Sequence, residues 1–186
     1  MINKIVIHAL TVVLSCITFF SCTEEIDLNQ INDLSLKPVV ASNLLYFNAF
    51  ASDFFIDGKE LSTIKDAVVL DLFNRGFVVD NLIKAEFIFE TTNSINKPFR
   101  LNVDFLNASN ELKHSFTILV PASPSNKNLI NSQTQVFEDD LLDDLKASNK
   151  IELTIQALSG GAPLNNNSLG TVKLNSKSLF YLNIDY

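Results

Sequence analysis

Between Lys84 and Val120 the chain alternates apolar and polar residues with a period of two, in three runs separated by turn residues. In the first run Ala85, Phe87, Phe89 and Thr91 fall on one side, and Lys84, Glu86 and Glu90 on the other. The second sets Phe99, Leu101, Val103 and Phe105 against Arg100, Asn102 and Asp104, and the third carries Phe116, Ile118 and Val120. Side chains of a strand point alternately to its two faces, so this spacing buries one face of a strand and leaves no apolar stripe on a helix. Asn93 to Pro98 is the turn between the first two runs. Asn107-Ala108-Ser109-Asn110-Glu111 suits a hairpin loop between the second and third.

The remaining segments extend this reading. Lys150 to Leu158 alternates through Ile151, Leu153 and Ile155, and Val68 to Phe73, Leu169 to Leu174 and Leu179 to Tyr186 read as strands, with Asn74-Arg75-Gly76 as a turn. Leu44 to Phe55 holds Tyr46, Phe47, Phe50, Phe54 and Phe55 and stops at Asp57-Gly58; it reads as a strand or a short helix. As the alternative to a tether there, Leu34, Leu36, Val39 and Val40 begin a first strand, which Pro38 confines to an edge. Pro121 to Ser132 is a loop, and one short helix follows with Asp140 as its N-cap and Leu141, Leu142 and Leu145 as its apolar side. About eight strands and one short helix predict an all-β, antiparallel sandwich, for which an immunoglobulin-like topology is expected. Fifteen phenylalanines and no tryptophan make its core a phenylalanine core.

The N-terminus is of another kind. Lys4 precedes an apolar run from Ile5 to Phe20, which is shorter than the ~20 residues a membrane-spanning helix needs and has no basic flank after it. Residues 1–21 therefore read as a signal peptide. Phe19-Phe20-Ser21-Cys22 resembles the bacterial lipobox, although two phenylalanines stand where leucine and a small residue are usual. The resemblance implies cleavage before Cys22 and a lipid on its thiol, with ordinary signal peptidase cleavage as the alternative. Val13-Leu14-Ser15-Cys16 fits the same pattern locally, but cleavage there would leave Ile17 to Phe20 as an apolar stub. Two or more acyl chains would hold the protein stably on a membrane. Thr23-Glu24-Glu25 resembles the acidic signal that sends lipoproteins of Bacteroidota to the outer face of the outer membrane, and the Lys84 to Val120 stretch is similar to that of uncharacterised surface lipoproteins of the same group. Residues 22–35 then form an acidic tether, a flexible coil spanning roughly 20 Å, and residues 36–186 the β-sandwich domain.

Several function classes drop out on composition. Loss of residues 1–21 removes Lys4 as the one charged side chain and takes the formal charge from −7 to −8. With Arg75 and Arg100 as the only arginines, the chain lacks the basic patch that nucleic acid demands. Beyond His8 the only histidine is His114, so a multi-histidine metal site cannot be built, and a triad on a single histidine beside a strand start is not expected. Glu138, Asp139, Asp140, Asp143 and Asp144 sit at helical spacing without the glycine turn of a calcium loop, and read as a solvated helix face. Asn165-Asn166-Asn167-Ser168 reads as a turn, and Asn107-Ala108-Ser109 as a glycosylation acceptor that a bacterial protein rarely uses. There is no nucleophile elbow and no phosphate-binding glycine loop. The expectation is a non-enzymatic, lipid-anchored module on the outer-membrane surface, without metal or cofactor, that binds an envelope protein or an extracellular polymer. The alternative is a glycan- or lipid-binding lipoprotein of an uptake system, with Tyr46 to Phe55 as its aromatic platform. A hydrolase using unassigned carboxylates stands third.

Overall fold

A computed structural model of the chain describes residues 35–70, 73 and 76–185. The signal peptide, Cys16, Cys22, the tether up to Leu34 and the Asn74-Arg75 turn lie outside the described residues. In chain order the strands are β1 (Ser35–Leu36), β2 (Val39–Phe50), β3 (Phe55–Ile56), β4 (Lys59–Glu60), β5 (Thr63–Val69), β6 (Leu82–Asn93), β7 (Phe99–Leu106), β8 (Leu112–Val120), β9 (Leu129–Phe137), β10 (Lys150–Ala157), β11 (Thr171–Leu182) and β12 (Ile184–Asp185). Helix α1 (Gly76–Asn81) precedes β6 and helix α2 (Asp139–Lys146) follows β9.

The eight long strands form two antiparallel four-stranded sheets, ordered β2-β11-β6-β9 and β5-β10-β7-β8. The alternating residues turn inward as their period requires. Ala85, Phe87 and Phe89 of one sheet meet Phe99, Leu101, Val103 and Phe105 of the other, all of them fully buried. The Phe87 ring packs edge-on against Phe105, Phe137 and Phe180 at centroid distances of 5.2–5.9 Å. Such edge-to-face contacts add to plain area burial, so phenylalanine rings can serve as the large side chains of a core whose gaps are filled by Leu, Ile, Val and Ala.

The expected antiparallel sandwich forms, but its wiring differs from the immunoglobulin order. Among the eight long strands the first pairs with the last, the second with the seventh, the third with the sixth and the fourth with the fifth. This is a long hairpin rolled over on itself, the jelly-roll arrangement. Every connection crosses to the opposite sheet except the β7–β8 hairpin. Alternation records which face a strand buries and nothing about its partner, so the order had to come from the structure.

Local differences have local causes. Leu44 to Phe50 is strand, and the short helical piece lies only in the 3-10 turn Ala51–Phe54, where Asp53 Oδ2 accepts the Phe50 N–H at 2.8 Å. Residues 171–182 form one strand rather than two, since the polar run Asn175-Ser176-Lys177-Ser178 turns Ser176 and Ser178 inward. Ser176 Oγ accepts the Leu45 N–H at 2.8 Å, and Ser178 Oγ donates to Ser42 O at 3.0 Å. Helix α2 begins two residues earlier than expected. Glu138 occupies the cap without a side-chain capping bond, and Asp140 lies inside the first turn.

Candidate ligand-binding end

The antiparallel wiring separates the loops into two sets. At one end of the sandwich lie Ser35, the start of β2, the β7–β8 hairpin and α2; Ser35 Oγ donates to Asn183 Oδ1 at 3.0 Å, and the Leu182 N–H to Pro38 O at 3.0 Å. At the opposite end lie the β6–β7 loop (94–98), the β8–β9 loop (121–128), the β10–β11 loop (158–170) and the β2–β5 connection.

The opposite end is held by one buried side chain. Asn93, with no exposed surface, donates through Nδ2 to Lys97 O at 2.9 Å and Pro121 O at 2.8 Å, and its Oδ1 accepts the Ile95 N–H at 2.9 Å. Ser94 ties in the third loop: its Oγ accepts the Thr171 N–H at 2.9 Å and its N–H donates to Thr171 O at 2.9 Å. Gly170, with φ +105°, must be glycine here, because a Cβ would stand 2.5 Å from Ser94 O. These loops are therefore fixed by bonds between one another as well as by their own turns.

Two surface pockets flank the β6–β7 loop. One, of about 200 Å³, is lined by Ile95, Asn96, Asn126, Leu164, Ser168 and Leu169 among others, and carries no charged side chain. The other, of about 210 Å³, is lined by Glu60, Leu61, Ser62, Lys97, Leu158 and Ser159 among others. Lys97 is only 7 % exposed, and its ammonium contacts the Glu60 carboxylate. A third pocket of about 220 Å³ lies on the outer face of the β2-β11-β6-β9 sheet, between Asn43, Ile88, Glu90 and Lys177, where a bulge sets Leu44 and Leu45 against the single residue Ser176.

The aromatic run Tyr46 to Phe55 is divided by the strand. Phe47 and Phe54 enter the core, while Tyr46 (66 % exposed) and Phe50 (55 %) stand on the outer face, about 13 Å apart along β2. Phe50 pairs with Thr171, and the Ala51 N–H donates to Gly170 O at 3.0 Å. The exposed Leu169, next to Gly170, lines the uncharged pocket, while on the outer face Asn48 and its partner Lys173 stand between Tyr46 and Phe50.

No family model matches the chain. No curated protein matches it either. Among solved structures it is similar to a protein of Parabacteroides distasonis described as secreted (12 % identity, TM-score 0.43, 63 % of this chain and 37 % of that one). It is also similar to a carbohydrate-binding module of family 4 (10 %, TM-score 0.32, 60 % and 56 %) and to an exo-β-agarase (10 %, TM-score 0.44, 75 % and 23 %). The chain thus spans less than two thirds of the length of each of these proteins.

Of the other residues singled out in the sequence, only the 165–168 turn lies at the loop end. His114 stands on β8, with its ring 5.2 Å from Phe137 and about 6 Å from Phe105 and Phe116; its Nε2 is buried with no hydrogen-bond partner. Burial lowers its pKa, and Asp144 opposes the shift. The acidic group of α2 stays at the helix surface and gathers no metal-ligating cluster; none occurs among the described residues. Glu138 instead joins Glu86 in holding Lys84, at 2.9 Å each, and these bonds raise the lysine pKa. Asn107 closes the β7–β8 hairpin, its Oδ1 accepting the Ser109 and Glu111 N–H groups at 2.9 Å. Asn165 accepts the Asn167 N–H at 2.8 Å in a turn of its own. Among the described residues no helix is long and apolar enough to cross a membrane.

Proposed function

We propose that the chain is a non-enzymatic binding module, anchored to the outer-membrane surface through lipid on Cys22, that holds an extracellular polymer at the loop end of its sandwich. The observation that carries the reading is the placement of the two ends. The chain reaches the sandwich at Ser35, and the pockets on either side of the β6–β7 loop open at the opposite end. A tether on the first end directs the second away from whatever surface holds it. The uncharged pocket offers amide and hydroxyl groups beside apolar walls, a composition suited to a neutral polar chain rather than an ion. Exposed Phe50 and Leu169, brought together by the Ala51–Gly170 bond, supply apolar contacts against which such a chain can lie.

Co-sedimentation of the full chain with insoluble polysaccharides tests the binding. Retention should fall at least several-fold in Phe50→Ala and Asn126→Ala, and equal retention of both variants would defeat the reading. Intact-mass spectrometry with protease shaving of cells tests the anchor. A mass of residues 22–186 plus acyl chains, lost on shaving, is expected; an unmodified mass would remove the anchor.

A further inference from the structure

The charged pocket at the same end holds a second kind of chemistry. Lys97 is buried, with its side chain 9 % exposed, while the Glu60 side chain is 30 % exposed. An ammonium has three N–H donors, and among the described residues Glu60 is the only acceptor that Lys97 Nζ meets. The carboxylate in turn keeps lone pairs that the lysine does not use. A spare donor and a spare acceptor therefore stand side by side on the wall of a pocket open to solvent.

Their positions are set by the backbone on both sides. Lys97 O is held by Asn93, the Leu158 N–H donates to Pro98 O at 2.9 Å, the Ala157 N–H to Ser62 O at 2.9 Å, and the Leu61 N–H to Phe54 O at 2.7 Å. The pair thus costs little further ordering when a ligand arrives.

Charge and size narrow the ligand. An anion would meet the Glu60 carboxylate and a cation the Lys97 ammonium, while an apolar group would strip water from both without replacing it. A ligand that satisfies the pair must be neutral and carry a hydrogen-bond acceptor and a donor on neighbouring atoms. At about 210 Å³ the pocket is below the roughly 300–1,000 Å³ of drug-sized sites and has room for one ring. We infer that the Lys97–Glu60 pocket is a subsite for the vicinal diol of a neutral sugar ring, one hydroxyl accepting from Lys97 Nζ and its neighbour donating to Glu60, with Leu61 and Leu158 against the ring. The inference rests on the polymer-binding reading and names the class of that polymer.

The test is an NMR titration of the full protein with methyl α-D-glucopyranoside, methyl α-D-galactopyranoside and methyl α-D-mannopyranoside. At least one should shift the Ser62, Leu158 and Ser159 amides and the Lys97 side chain. Glu60→Gln should weaken that response about ten- to a hundredfold, the worth of a charged hydrogen bond, while Ser109→Ala, on the β7–β8 hairpin at the other end, leaves it unchanged. Shifts confined to Asn96, Asn126 and Ser168 would overturn the subsite and leave the polymer reading intact. A response unaltered in Glu60→Gln would overturn the subsite as well, and no shift at either pocket with any of the three sugars would overturn both.

Discussion

Asn93→Ala is the most informative single change, because one side chain makes three hydrogen bonds across two loops and each can be valued. The substitution removes the partners of the Ile95 N–H, the Lys97 carbonyl and the Pro121 carbonyl. Pro121 is exposed, so water can replace what its carbonyl loses; Ile95 and Lys97 are 1 % and 7 % exposed, so their groups are left bare. At about 1–3 kcal/mol for each buried group left without a partner, the loss comes to about 2–6 kcal/mol. With a urea dependence of about 2 kcal/mol per molar, the unfolding midpoint should drop by roughly 1–3 M. Asn93→Asp distinguishes hydrogen bonding from packing. It preserves shape and the acceptor for Ile95, but it turns a two-proton donor into an acceptor facing two carbonyls and buries a charge. Asp should therefore destabilise more than Ala, and an Asp variant as stable as the Ala variant would refute the reasoning.

Three further outcomes follow from the same structure. Glu60→Gln leaves the buried Lys97 without its counter-charge and should cost about 1–3 kcal/mol, less than the 3–5 of a fully buried pair because Glu60 is partly exposed; adding Lys97→Met should recover part of it, and simple additivity in urea melts would refute the coupling. The His114 pKa lies below its ordinary 6.5 in the folded chain, so the unfolded chain takes up the proton first; stability should be level above that value and fall as the pH drops through it, and His114→Phe should flatten this part of the midpoint profile. Gly170→Ala should cost about 1–3 kcal/mol through its left-handed backbone and the clash with Ser94 O, whereas Gly58→Ala, with φ +76° but nothing within 4 Å, should cost only about 1–2; equal thermal shifts would refute the role of the clash.

The parts of the fold legible in the sequence are those where one face of a strand is uniformly apolar. β6, β7, β8 and β10 lie within a few residues of where the alternation puts them, and the Asn107 hairpin closes as its residues imply. β9 was hidden inside and just after an expected loop because it is an edge strand whose inward positions include Gln133 and Gln135, opposite Phe89 and Phe87, so its buried face carries little hydrophobic signal. The centre of β11 was hidden for a related reason, its inward positions being serines whose hydroxyls bond the neighbouring backbone. At the loop end, neither Asn93 nor the Lys97–Glu60 contact has a sequence signature. Both depend on loops far apart in the chain meeting at one end, and that meeting is decided by strand order.

The position of β11 also governs when the protein can fold. It lies between β2 and β6 and forms the only long partner that β2 has in its sheet. A chain synthesised from its N-terminus at about 5–20 residues per second must therefore hold β2 unpaired until nearly all of the domain has followed. The rate-determining loop is almost as long as the domain itself, which makes assembly slow and late rather than progressive. Until then β2 offers Tyr46, Phe47 and Phe50 on two open edges. The final strand is thus the point at which a newly made chain stops being prone to aggregate.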